Sequence, residues 1–90
     1  MDRADLLERT RRHMGEFLER DLSHLTADTR IDAAAPGMDS LKIYELMMYL
    51  EECFGVAFDE ASMANVATLQ ELVDAIAVAP PVAAAPASTS

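Results

Sequence analysis

Tryptophan is absent from the 90 residues, cysteine occurs once, and no lysine or arginine follows position 42. Each shortage excludes something. With Cys53 alone, no disulfide can close within the chain and no cysteine-based metal cluster can form. Aromatic residues make up 6% of the chain, so a core must come mainly from Leu, Met, Ile, Val and Ala, which suits helices. The seven basic residues are Arg3, Arg9, Arg11, Arg12, Arg20, Arg30 and Lys42; from Ile43 onward seven acids stand without a cation. The formal net charge is −9. Such a surface repels nucleic acid and anionic lipid, whose phosphates need clustered cations. It attracts basic protein surfaces instead. No apolar run is long enough to span a membrane, and the first residues, MDRADLLERTRRHM, lack the apolar core of a signal peptide. The expected compartment is the reducing cytoplasm.

About half the residues are apolar (51%), which marks a folding chain. Ninety residues make one domain at most and bury only a thin core, so a deep-clefted α/β enzyme is not expected. The pattern predicts an all-α, antiparallel four-helix bundle: three main helices and a short third one, with a long loop between helices 1 and 2. The first helix is expected from about Asp2 to Leu22, because Leu7, Met14, Leu18 and Leu22 recur at helical spacing beside Leu6 and Phe17. Gly15 lowers its stability without interrupting the pattern. Ser23 to Asp39 reads as a loop punctuated by Pro36-Gly37, with Leu25 and Ile31 pinning it to the core. A loop this long in so small a domain hints at function.

The second helix is expected from Asp39-Ser40 to about Phe54, with Asp39 as N-cap and Gly55 as stop. A short helix follows from Asp59 to about Asn65. Thr68-Leu69-Gln70-Glu71 is a capping box that opens the last helix, whose buried face is Leu69, Leu72, Val73 and Ile76. The folded domain is expected to cover residues 1–78. Residues 79–90, rich in Ala and Pro and without charge, read as a flexible tail or linker with nothing to pack.

The second helix has two faces. Ile43, Leu46, Met47, Leu50 and Phe54 fall together as a buried stripe. The other side carries Leu41, Tyr44, Glu45, Met48, Glu51 and Glu52, large apolar residues set among carboxylates. That mixture suits a docking surface, with apolar anchors for contact and charges for steering. The competing structural reading packs Leu41, Tyr44 and Met48 under the long loop.

Gly37-Met38-Asp39-Ser40-Leu41 resembles the attachment motif of acyl carrier proteins: Gly, any residue, then Asp-Ser-Leu. The resemblance continues through Glu45-Leu46, Leu50-Glu51-Glu52, Phe54-Gly55-Val56 and the helix from Thr68 to Ile76, covering roughly residues 5 to 78. It implies a 4′-phosphopantetheine arm on the hydroxyl of Ser40, placed there from coenzyme A by a carrier-protein synthase, with Asp39 helping the synthase hold its metal ion. It implies thioester-bound acyl intermediates of fatty-acid or polyketide biosynthesis. It implies partner enzymes with basic docking patches (acyl transferases, ketosynthases or adenylating enzymes) that meet Leu41, Tyr44, Glu45, Met48, Glu51 and Glu52. The apolar stripes and caps predict a monomer, and no catalytic residue and no resident metal are expected. Aminoacyl or D-alanyl carriers keep the same Asp-Ser-Leu and stand as the alternative. Lys42, where an acid is common, and Tyr44, where a smaller aliphatic residue is common, depart from the family pattern. A serine enzyme using Ser40 needs a base and an oxyanion hole, yet the chain has no Gly-x-Ser-x-Gly elbow and only His13 and His24.

Overall fold

The computed structural model describes residues 2–82. Within them the chain forms α1 (Arg3–Leu18), a 3-10 turn (Ile31–Ala33), α2 (Ser40–Phe54), α3 (Glu60–Asn65) and α4 (Leu69–Val78). No strand occurs among the described residues, only two isolated bridges, Arg30 with Thr68 and Val56 with Pro81. The helices start where side chains can satisfy their free N–H groups. Asp2, Asp39, Asp59 and Thr68 are the N-caps, each with extended backbone and a side-chain oxygen accepting from the first turn. The capping box of α4 is complete: the Thr68 hydroxyl accepts from Glu71 N–H, and the Glu71 carboxylate accepts from Thr68 N–H.

Helix α1 ends at Leu18, not near Leu22. Glu19 turns left-handed (φ 58°), and the Arg20 N–H bonds back to the Gly15 carbonyl at 3.1 Å. The chain doubles back so tightly that a Cβ on Gly15 would lie 2.8 Å from the Arg20 carbonyl oxygen. Gly15 is therefore required by a close backbone approach and is more than a tolerated weak spot. Leu22 is still buried, but it reaches the core from the turn. The buried stripe of α1 is Leu6, Thr10 and Met14. Thr10 has no exposed surface, and its hydroxyl donates to the Leu6 carbonyl at 2.7 Å, so nothing polar is left unpaired.

The core is one cluster from α1, α2, α4 and the long loop, with Leu46, Leu50, Leu69 and Leu72 fully buried. Leu25, Ile31 and Ala34 of the loop enter it. Backbone bonds also tie the loop to the start of α4: Leu69 N–H to Thr29, Gln70 N–H to Ala27, and Ile31 N–H to Ala67. Helices α1 and α2 meet along an aromatic seam. The ring of Phe17 lies 5.3 Å from Tyr49, and His13 stands edge-on to Phe54 at 5.3 Å. These pairs set the two helices antiparallel, so Ser40 lies at the end opposite Gly55.

Helix α3 has no buried residue. Residues 79–82, expected to be unpacked, run back along 55–57 through bonds from Ala57 N–H to Pro80 O and from Val82 N–H to Gly55 O. The rest of the expected tail, residues 83–90, lies outside the described residues.

The α4 cap gives the fold a pH signature. Backbone N–H groups of Ala67 and Thr68 hold the Glu71 carboxyl below its ordinary value of 4.5. A group whose folded value is depressed contributes stability above its unfolded value and loses it as pH falls through the folded one. Glu71→Gln, which keeps the accepting oxygen, should therefore be less stable than wild type at neutral pH. The two denaturation midpoints should converge as pH falls below 4.5. A gap that stays constant down to acid unfolding would show that ionisation of Glu71 does not matter.

Candidate functional site

The long loop ends in a turn that presents Ser40. Gly37 has φ 79°, a left-handed backbone that a side chain would strain, and its carbonyl accepts from Asp39 N–H at 2.9 Å. Met38 is half-buried against the core and anchors the turn. Asp39 then caps α2: its Oδ1 accepts from Lys42 N–H at 2.8 Å, and its carbonyl accepts from Ile43 N–H at 2.9 Å. Ser40 is the first residue of α2 and is exposed. The N–H groups of Ser40 and Leu41 have no acceptor among the described residues. Unclaimed donors and the positive end of the helix dipole make this a favourable place for a phosphodiester on the Ser40 oxygen. The residues present fit such a group. Among the described residues no histidine or carboxylate is hydrogen-bonded to the Ser40 hydroxyl.

From Ser40 the exposed face of α2 carries Leu41, Tyr44 and Met48, which keep 65%, 52% and 48% of their surface in solvent. The loop does not cover them. Glu45 and Glu52 are exposed beside them. Glu51 differs: it is half-buried, and its Oε2 accepts from Phe58 N–H at 2.7 Å, holding the connection to α3. Sequence spacing places Glu51 next to Glu52 and carries no sign of this structural bond. Lys42 Nζ lies 5.0 Å from the centroid of the Phe17 ring, so its charge sits on the α1 side of the helix and not in the stripe.

Beside Ser40, a cleft of about 460 Å³ opens between α2 and α3. Ile43, Met63 and Val66 form its half-buried floor, and Tyr44, Glu60 and Ala64 its exposed rim. Sequence reading did not assemble this cleft, because its two walls are separated by the connection between helices. Burial pushes the Cys53 thiol up, so it is protonated at neutral pH and is no rival thiolate. Among the described residues no group of three His, Cys, Asp or Glu could hold a metal ion. No helix there is long and apolar enough to cross a membrane.

A family model described as the phosphopantetheine attachment site matches residues 8–76. The chain is 36% identical over 76 residues to an acyl carrier protein of Rubrobacter xylanophilus, covering 82% of this chain and 90% of that one. It is 32% identical over 76 residues to an acyl carrier protein of Guillardia theta, covering 84% and 93%. Over 52 residues it is 40% identical to the chloroplastic acyl carrier protein 4 of Arabidopsis thaliana, spanning 58% of this chain and 36% of that relative. Among solved structures, the acyl carrier protein of Thermotoga maritima shares the fold at a TM-score of 0.73 and 19% identity, covering 86% of this chain and 88% of that one. The capped serine after a long loop, the matched attachment model and two relatives aligned over most of both chains lead to one conclusion: this chain belongs to the acyl carrier proteins, carriers and not enzymes, whose cofactor is covalently attached phosphopantetheine.

Proposed function

We propose that Ser40 bears the phosphopantetheine arm and that the exposed face of α2 presents the loaded arm to acyl-transferring enzymes of fatty-acid or polyketide biosynthesis. The observation that carries this reading is the exposed hydroxyl of Ser40 on the first residue of α2, beside two unclaimed N–H groups. The arm, when bound, supplies a thiol that holds an acyl group as a thioester. The chain's own residues do the rest. Gly37 and Asp39 fix the turn, α2 turns its positive end toward the phosphodiester, and the core keeps α2 rigid against α1 and α4. Incubating the full chain with coenzyme A and a broad-specificity carrier-protein synthase should add one phosphopantetheine mass, located by peptide mapping at Ser40. Modification at another serine, or none, would overturn the assignment.

Leu41, Tyr44 and Met48 are the apolar anchors of the docking face, and Glu45 and Glu52 steer basic partners toward it. Glu51 contributes its charge while its bond to Phe58 N–H holds the loop. Exposed ion pairs contribute about 0.2–1 kcal/mol each and act mainly on the rate of encounter. Glu45→Lys should therefore slow loading by the synthase several-fold, more than Glu45→Gln, since reversal adds repulsion. Added salt should shrink that difference. Equal loading of Glu45→Lys and wild type at low salt would reduce the stripe to a solvated face.

A further inference from the structure

Past α4 the chain does not leave the domain at Val78. It returns across the far end of α2, where Pro81 bridges Val56 in antiparallel fashion. The Pro80 carbonyl accepts from Ala57 N–H at 3.0 Å, and Val82 N–H donates to the Gly55 carbonyl at 2.9 Å. Pro80-Pro81-Val82 is suited to this one short pairing. The two prolines have no N–H to leave unpaired, and their fixed φ orders the segment before it docks, which lowers the entropy lost on pairing. The single donor of the segment, at Val82, is the one used.

The backbone it grips is the connection into α3. Gly55 ends α2 and Asp59 caps α3. Between them the other ties on this side are to Glu51, whose carbonyl accepts from Val56 N–H at 3.1 Å and whose carboxylate accepts from Phe58 N–H at 2.7 Å. Helix α3 buries no residue of its own, yet it supplies Glu60, Met63 and Ala64 to the cleft beside Ser40. Movement of this connection therefore moves one wall of the cleft. The segment also lies beyond residues 8–76, the part that matches the family model.

We propose that residues 80–82 act as a strap that restrains the entry to α3 and thereby controls opening of the cleft beside Ser40. As regulation of that cleft, it rests on Ser40 bearing the arm. Amide hydrogen exchange on the unmodified full chain tests the strap alone. Ala57 and Met63 amides, bonded to Pro80 and Asp59 carbonyls, are expected to be protected. Val82→Pro removes the strap's donor at a position that is 48% exposed and outside the core. It should speed exchange at Ala57 and Met63 roughly fivefold, the loss of one backbone hydrogen bond of ordinary net strength. Leu50 and Leu72 should be unaffected. Val82→Ala keeps the donor and should change nothing. An unprotected Ala57 amide in wild type, or unchanged Met63 exchange in Val82→Pro, would overturn the strap. On chain loaded from octanoyl-coenzyme A, Val82→Pro should shorten the hydrolytic lifetime of the thioester. An unchanged lifetime alongside faster exchange would break the link to the cleft. Failure to load at all refutes the Ser40 assignment and leaves the exchange result standing.

Discussion

Ser40→Ala should abolish phosphopantetheine loading while leaving the helical circular dichroism and the thermal midpoint almost unchanged. The loss is expected to be complete because the bond to phosphorus forms at the serine oxygen, and alanine has no atom there to form it. The fold should survive for three reasons visible in the structure. Ser40 is exposed, so its removal opens no cavity. The cap of α2 is the carboxylate of Asp39, which is untouched. Alanine is also the better helix former at the first helical position. Ser23 and Ser62 are the controls: Ser23 N–H is bonded to Asp21 in a turn, and Ser62 sits inside the first turn of α3. Neither follows the Gly37-Met38-Asp39 turn, so Ser23→Ala and Ser62→Ala should load at the wild-type extent. A loaded Ser40→Ala protein would mean that the arm is attached elsewhere.

Leu46→Ala should have the opposite character, lowering stability and leaving the chemistry intact. Leu46 has no exposed surface and belongs to the core cluster built from α1, α2, α4 and the long loop. Replacing a buried leucine by alanine removes apolar burial and leaves a cavity, at a cost of about 2–5 kcal/mol. A domain of this size holds on the order of 5–15 kcal/mol in total, so the expected loss is a large share. A loss of about 3 kcal/mol corresponds to a thermal midpoint lowered by roughly 12–24 °C. At low temperature, where the chain is still folded, Leu46→Ala should load at Ser40. Near the lowered midpoint, loading should fall with the folded fraction. Leu46→Met keeps most of the volume and should cost under about 1.5 kcal/mol. A midpoint within a few degrees of wild type for Leu46→Ala would place Leu46 outside a tightly packed core.

The two variants separate what the α2 helix does at its end from what it does at its middle. The bounds of that helix and its inward face are legible in the sequence. Asp39 and Gly55 delimit the helix by side-chain and backbone chemistry that acts within one turn. The spacing of Leu46, Met47 and Leu50 shows which side turns inward. The opposite stripe of Leu41, Tyr44 and Met48 was equally plain, and the structure leaves all three in solvent. Thr68 and Glu71 announce α4 in the same local way, through a capping box.

Local patterns in the chain are enough for the helices after the loop, their inward faces, the apolar pins Leu25 and Ile31, and Ser40 as the first residue of α2. The remaining features depend on how the segments pack. Leu18 and Leu22 are four residues apart whether the helix continues or a left-handed Glu19 breaks it and Leu22 returns from the turn. Periodicity cannot separate the two, because it reports which residues need burial and not the path by which they reach it. Thr10 breaks the apolar pattern and is still buried, because a hydroxyl bonded to its own helix backbone needs no partner from elsewhere. The need for Gly15, the bond from Phe58 N–H to Glu51, the aim of Lys42 at Phe17 and the pairing of Val82 with Gly55 all depend on close approach after folding. Caps and apolar spacing act within a turn or two of chain. Contacts between segments appear only when the core has set where each segment passes.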